Sequence, residues 1–219
     1  MSNDRLDKVI SQIEEMNADD PRRVEVDGKS RSFEHVYAER MMEVLAQMYP
    51  EASELLQIAA HAQHLRRWDI ARGDYEIGRE GYNRWRKACR EHHVVLTGKV
   101  MTEHGYSDED IARVAMFLKK QQLKKDYESQ SLENVVDVVF LKYYWDDFKS
   151  KYAEYDDDKM IDIIGKTLLK MSSEGHAAAL ALDMPEGTRK LVMAAVERES
   201  ERLAALTKVE PKPGDRSDR

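Results

Sequence analysis

One cysteine in 219 residues, Cys89, excludes an intrachain disulfide framework and a zinc site built from thiolates alone, and it fits a reducing compartment. Apolar runs are short as well. No stretch approaches the ~18 consecutive apolar residues of a membrane-spanning helix, and Met1-Ser2-Asn3-Asp4-Arg5 has no apolar signal region behind it. A soluble, cytoplasmic protein with no membrane partner is therefore expected. Positive charge does not dominate: 35 Lys and Arg against 42 Asp and Glu leave a net charge of -7. That argues against broad, sequence-independent nucleic-acid binding, although a local basic pocket stays open. The Walker-type phosphate loop and the dinucleotide glycine fingerprint are both absent. The acidic run Asp156-Asp157-Asp158 lacks the alternating ligands and internal glycine of a calcium loop, so it reads as a helix start.

No proline falls between Pro50 and Pro185, and one candidate strand is visible in the whole chain. With a hydrophobic fraction of 42% for a core and a charged fraction of 35% for solvated faces, the class is all-α, a single helical domain. Asn3 or Asp4 can cap a first amphipathic helix carrying Leu6, Val9, Ile10 and Ile13, an N-terminal extension that ends before Asp19-Asp20-Pro21. Val24 to Ser30 alternates briefly and turns at Asp-Gly, which predicts a loop or at most a lone extended piece. Helices are expected from Ser32 to Tyr49, from Glu51 through Trp68, from Tyr82 to about His104 with Gly105 as the stop, and from a Ser107 cap to Leu118. A polar connection from Lys119 to Glu128 then leads to a helix capped at Ser131 and running from Leu132 to Tyr144. Beyond it come a helix from Asp156 through Met171, a short one after Ser173, and a final one from Pro185 through Leu206. The domain is expected to span residues 1–207, with 208–219 a disordered tail rich in proline and charge.

The stretch from Ala59 to Trp68 gathers two imidazoles, an indole and two guanidinium groups. On a helix, Leu55, Ile58, Ala59, Ala62 and Leu65 share one side, while Gln57, His61, His64 and Trp68 line the other. The second stripe is either a polar packing face or a ligand site. Arg66-Arg67 and Arg84-Trp85-Arg86-Lys87 place cations beside indoles, an arrangement suited to a planar, anionic ligand or to ion pairs within the chain. Asp137 is surrounded by apolar neighbours from Leu132 to Leu141, so its carboxylate needs a partner: a metal, hydrogen-bond donors, or a cation such as Arg66, Arg67 or Arg84. His92-His93 is a second imidazole pair, and histidine with carboxylate suits a divalent metal ion that lowers the pKa of bound water. His35, His104 and His176 read as surface or satisfied core residues, and Cys89 as a packing thiol. Lys170-Met171-Ser172 is superficially like the lysine-methionine-serine loop of class I aminoacyl-tRNA synthetases, but the accompanying glycine and parallel sheet are missing.

Tyr37 to Met41, Ala62 to Trp68, Gly81 to Lys87, Lys166-Thr167, Lys170 to Ser172 and Gly175-His176 resemble the helical family termed domain of unknown function 4202, over about Ile13 to Leu206. The segment from His93 through Gly105-Tyr106-Ser107 to Asp137-Val138-Val139-Phe140-Leu141 is more distantly similar to the second half of the HD-domain phosphohydrolases. That second resemblance implies a degenerate HD bundle in which His64, His93 and Asp137 hold one divalent metal ion and Glu39, His64 and Asp137 carry catalysis. Arg66, Arg67, Trp68, Arg84 and Lys87 would bind a small phosphorylated or nucleotide-like substrate. Leu65 stands at the paired aspartate, Glu39 near the first histidine, and Gln121 or Gln122 at a further histidine. The function expected is thus a metal-dependent hydrolase. The alternatives are a non-catalytic anion- or nucleotide-binding module and a helical protein-interaction adaptor on the same scaffold.

Overall fold

Runs of helix-forming residues punctuated by Ser and Asp caps give eleven α-helices and one two-stranded hairpin among the described residues, 4–216 of a computed structural model. The protein is all-α apart from that hairpin. Its contacts divide it into two compact units, one ending at Gln121 and one beginning at Gln122. No helix of the described residues is long and apolar enough to cross a membrane.

The first unit contains α1 (Asp4–Ala18), β1 (Arg23–Val26), β2 (Lys29–Ser32), α2 (Phe33–Met48), α3 (Glu54–His61), α4 (Arg79–Glu103) and α5 (Asp108–Leu118). Short, apolar α3 is its centre: Leu56, Ile58, Ala59 and Ala60 are all buried, and α1, α2 and α5 pack around it. Ser53 caps it by accepting from the Leu56 amide at 3.2 Å. The Ser107 cap expected for α5 is present, and Asp110 completes a reciprocal capping box. At the end of α4, Gly105 takes φ +75° and the Tyr106 amide returns to the Met101 carbonyl, so glycine does stop that helix. Asn3, one of the caps considered for α1, lies outside the described residues, and Asp4 is already the first residue of the helix.

Three expectations for this unit need correction. Val24 to Ser30 is neither a loop nor a lone piece, because β1 and β2 pair antiparallel with Val26 opposite Lys29. The partner strand Lys29-Ser30-Arg31-Ser32 is wholly polar and carries no alternation to read. The hairpin is set instead by Asp27 and Gly28, both at positive φ (51° and 72°), the requirement of a primed two-residue turn. Secondly, the helix expected through Trp68 stops at His61. Ala62 and Leu65 are fully buried, the chain reverses at Arg66 in the left-handed region (φ 49°), and a single 3-10 turn covers Arg67–Asp69. A non-glycine residue there costs on the order of 1 kcal/mol. Ion pairs from Arg66 to Asp69 at 2.9 Å and to Asp19 at 3.2 Å offset that cost. Thirdly, His61, His64 and Trp68 consequently do not line one helical face.

The second unit contains α6 (Tyr127–Val139), a π-helical turn (Phe140–Tyr144), α7 (Trp145–Lys151), α8 (Asp157–Leu168), α9 (Ser173–Ala181), α10 (Glu186–Arg198) and α11 (Ser200–Thr207). Asp126, not Ser131, caps α6, accepting from the Ser129 amide at 2.8 Å. Ser131 lies inside the helix, where its hydroxyl donates to the Tyr127 carbonyl one turn back. Of thirteen α6 residues ten are buried, so its polar members must find partners within the protein. Asn134 does so by donating to the Ser172 hydroxyl at 2.8 Å and accepting from the Ser172 amide at 2.9 Å. Asp156 caps α8 as its acidic run predicts. The final helix expected as one piece is two, separated at Glu199. Of the segment expected to be a disordered tail, Pro211 is buried and the Asp215 carbonyl accepts from the Tyr127 amide at 3.1 Å. Residues 217–219 lie outside the described residues.

Candidate functional site

The polar centre of the first unit is assembled by the hairpin. Because β2 runs directly into α2, the Glu34 amide meets the Asp20 carboxylate at 3.0 Å, and Arg22 bridges Asp20 (2.8 Å) and Glu34 (2.5 Å). Glu34 is 1% exposed and sits on the same α2 stripe as Tyr37 and Met41. Its second oxygen accepts from Nδ1 of His64 at 3.1 Å. The His64 ring stacks on Tyr37, centroids 4.0 Å apart at 16°, and its Nε2 takes a hydrogen bond from Arg67. Since guanidinium can only donate, Nε2 is the acceptor and Nδ1 carries the proton. Across α4, His93 lies 6.2 Å from His64, ring centre to ring centre, with its own Nδ1 on the Leu65 carbonyl at 2.8 Å. The left-handed step at Arg66 follows directly on that carbonyl.

Burial sets the protonation states. It would raise the Glu34 carboxyl, but the His64 ring and the Arg22 guanidinium outweigh it and hold the group at about 2. Burial pushes His64 down to about 4, with Arg67 adding to the shift and Glu34 opposing it. Burial likewise takes His93 to about 3, with His64 contributing. Both imidazoles are neutral at pH 7. Burial also raises the Cys89 thiol above its usual range, which fits a packing role for this buried residue.

Arg67 is half-buried, and its guanidinium carbon lies 4.6 Å from the centroid of the Trp85 ring. Trp85 is fixed in turn by donating its indole N–H to the Ile70 carbonyl at 2.9 Å. Arg67 makes no ion pair with a carboxylate among the described residues; Glu34 stands on the other side of the His64 ring.

The remaining expected site residues have their own partners. Glu39 pairs with Arg31 at 2.6 Å and His35 at 3.3 Å, outside this cluster. Arg66 pairs with Asp69 and Asp19, and lies over Trp68 at 5.1 Å. Arg84 is ion-paired with Glu76, and Lys87 is exposed. Asp137 belongs to the second unit, where the partner its burial demands is Lys170, whose ammonium also approaches Glu133 at 3.5 Å. His92 meets Asp69 at 3.1 Å, while His35, His104 and His176 are held by Glu14, Gln12 and Leu168. So His64, His93 and Arg67 come together within the first unit, and Glu34, Asp20 and Arg22 complete the cluster without having been picked out. Glu34 had a legible signal: a carboxylate on the apolar stripe formed with Tyr37 and Met41.

Two neutral imidazoles are a short donor set for a resident metal ion. Among the described residues no group of three or more His, Cys, Asp or Glu side chains is placed to hold one. Both ring nitrogens of His64 are engaged, by Glu34 and by Arg67, and Asp137 belongs to the second unit, so no chemistry is derived through a metal ion.

An all-α protein whose first unit holds a buried carboxylate joined to imidazole and to half-buried guanidinium is the class that fold and site define. The chain belongs to the family described as domain of unknown function (DUF4202), whose model matches residues 7–192. No curated protein and no solved structure matches it.

Proposed function

We propose that the first unit binds a small anionic, phosphorylated ligand at Arg67, beside His64 and His93. The observation that carries this reading is a half-buried guanidinium whose polar partner is a neutral imidazole and whose remaining N–H groups face no carboxylate. A half-buried cation with no carboxylate partner gains from an incoming anion, and the fork geometry suits phosphate oxygens. Trp85 under the guanidinium fixes its plane. The resemblance to HD-domain phosphohydrolases points to two of the same side chains, His64 and His93.

Calorimetric titration with inorganic phosphate tests this. Binding should weaken at least tenfold in Arg67→Ala and severalfold in Arg67→Lys, which keeps the charge but loses the fork. Absence of phosphate binding by the unmodified protein, or equal binding by Arg67→Ala, overturns the reading.

Hydrolysis of that ligand is the second reading, and the Glu34–His64 pair favours it. A carboxylate on Nδ1 orients the ring as a general base is oriented, and Nε2, held by Arg67, becomes a base only when the ligand draws that N–H away. Turnover of p-nitrophenyl phosphate by the wild type and its loss in His64→Ala would support it. Turnover unchanged in His64→Ala would sink it.

A further inference from the structure

We propose that Nε2 of His93 selects an anion that still carries a proton, a phosphate monoester or hydrogen phosphate, over a fully ionised anion such as sulfate and over a phosphodiester. The inference rests on the reading of Arg67 as the anion anchor.

The Leu65 carbonyl can only accept, so Nδ1 of His93 donates to it and Nε2 presents a lone pair. No described residue donates a hydrogen bond to that nitrogen. The ring is 3% exposed. The His64 and His92 rings lie 6.2 Å and 6.3 Å from it, centre to centre, and the charges that act on it are those of Arg67 from the turn after α3 and Glu34 from α2. Among these, burial and the neighbouring His64 and Arg67 keep the imidazole neutral, its pKa held at about 3.

Arg67 spends one N–H on His64, and a guanidinium has five, so the rest can hold the charged oxygens of a ligand. The His93 lone pair then meets whatever the ligand turns toward α4. An O–H on phosphorus makes a hydrogen bond there; an oxygen bearing only lone pairs is repelled. His64 does not compete for this part, since its own Nε2 is already occupied by Arg67. The cluster therefore combines one cation with one acceptor, and the acceptor rejects an anion that has no proton to give.

Calorimetry on the full chain with inorganic phosphate, sulfate, methyl phosphate and dimethyl phosphate tests this at about pH 6, near the second ionisation of a phosphate ester. Phosphate should bind at least tenfold more tightly than sulfate, and methyl phosphate at least tenfold more tightly than dimethyl phosphate. Methyl phosphate should lose affinity on raising the pH to about 8 as its last proton leaves. In His93→Phe, phosphate should fall to the level of sulfate while sulfate changes less than twofold. Because a buried ring is replaced in that variant, nitrogen-15 spectra of the wild-type imidazoles give a second reading, with Nδ1 of His93 protonated and Nε2 bare. Equal affinity for phosphate and sulfate, or a proton on Nε2, overturns the selectivity and leaves the Arg67 anchor standing. If neither anion binds, both proposals fall.

Discussion

Glu34 and His64, thirty residues apart in the chain, meet through a 3.1 Å hydrogen bond from Nδ1 of the imidazole to a carboxylate that is 1% exposed. The carboxylate is not left bare on its other side, where Arg22 and the backbone held by Asp20 enclose it. Glu34→Gln keeps an acceptor for His64 but removes the charge facing Arg22. A loss of about 1–3 kcal/mol in urea-unfolding free energy is expected, below the range of a fully buried pair because Arg22 is 46% exposed. Phosphate affinity should change less than threefold. A tenfold change would mean that Glu34 acts on the ligand and not on the ring.

Acid should unfold the protein from the histidines downward. His61, His64 and His93 are held at about 4, 4 and 3 by burial, whereas the unfolded chain takes up their protons near pH 6.5. The folded pKa values are depressed and the neutral form is the native one. Stability is therefore complete above about pH 6.5 and is lost as pH falls toward 4. Each ring contributes up to about 1.4 kcal/mol per pH unit inside that window. Glu34, held at about 2, extends the loss below the ordinary carboxylate range. Urea midpoints measured from pH 7.5 to 4.5 should fall with a slope that flattens in His61→Phe. A flat profile would show that these rings are not buried neutral.

Trp85 holds the Arg67 guanidinium by its face and is itself tied to Ile70. Trp85→Leu removes both, and phosphate affinity should drop between about 3-fold and 30-fold, the range of one part-buried cation–π contact. Unchanged affinity would show that Arg67 needs no support.

Gly175 in α9 leaves no room for a side chain. An added Cβ would lie 2.7 Å from Oδ1 of Asn134 and 2.9 Å from Cβ of Met171, displacing the Asn134–Ser172 pair. Gly175→Ala should destabilise by about 1–3 kcal/mol despite the better helix propensity of alanine. A rise in melting temperature would contradict the close approach of Asn134.

The Asp27-Gly28 turn has both residues at positive φ. Asp27→Asn should be neutral or slightly stabilising, whereas Gly28→Val should cost about 1 kcal/mol or more. Because the hairpin delivers Arg22 to Glu34, the Gly28 variant should also shrink the part of the acid-induced loss that Glu34 contributes, read as a flatter urea-midpoint profile below about pH 4.5.

Much of the helical architecture could be read directly from residues. Apolar spacing located α1, α2, α4 and α5, Ser107 and Asp156 announced their helices, and Gly105 marked a stop, because caps and periodicity act within a few residues of themselves. The β-hairpin was hidden because its second strand is polar throughout, and the early end of α3 because no glycine or proline marks Arg66. The turn at Arg66 depends on a contact made far along the chain, with Asp19, whereas the hairpin is local and its one legible signal is the Asp27-Gly28 turn. Asp137 was rightly expected to need a partner, yet no local pattern could name Lys170, 33 residues away.

Composition, caps and periodicity by themselves fixed an all-α class and drew attention to His64, Arg67 and His93, since those signals are carried by residue type and near-neighbour spacing. Only the tertiary structure decided that Glu34 orients His64, that Leu65 fixes the tautomer of His93, and that Arg67 lies on Trp85 without a carboxylate. Those relationships come from a left-handed turn and a hairpin that bring separate helices together. Hydrogen bonding is directional, and its partners are chosen by distance in space, which the order of residues does not record.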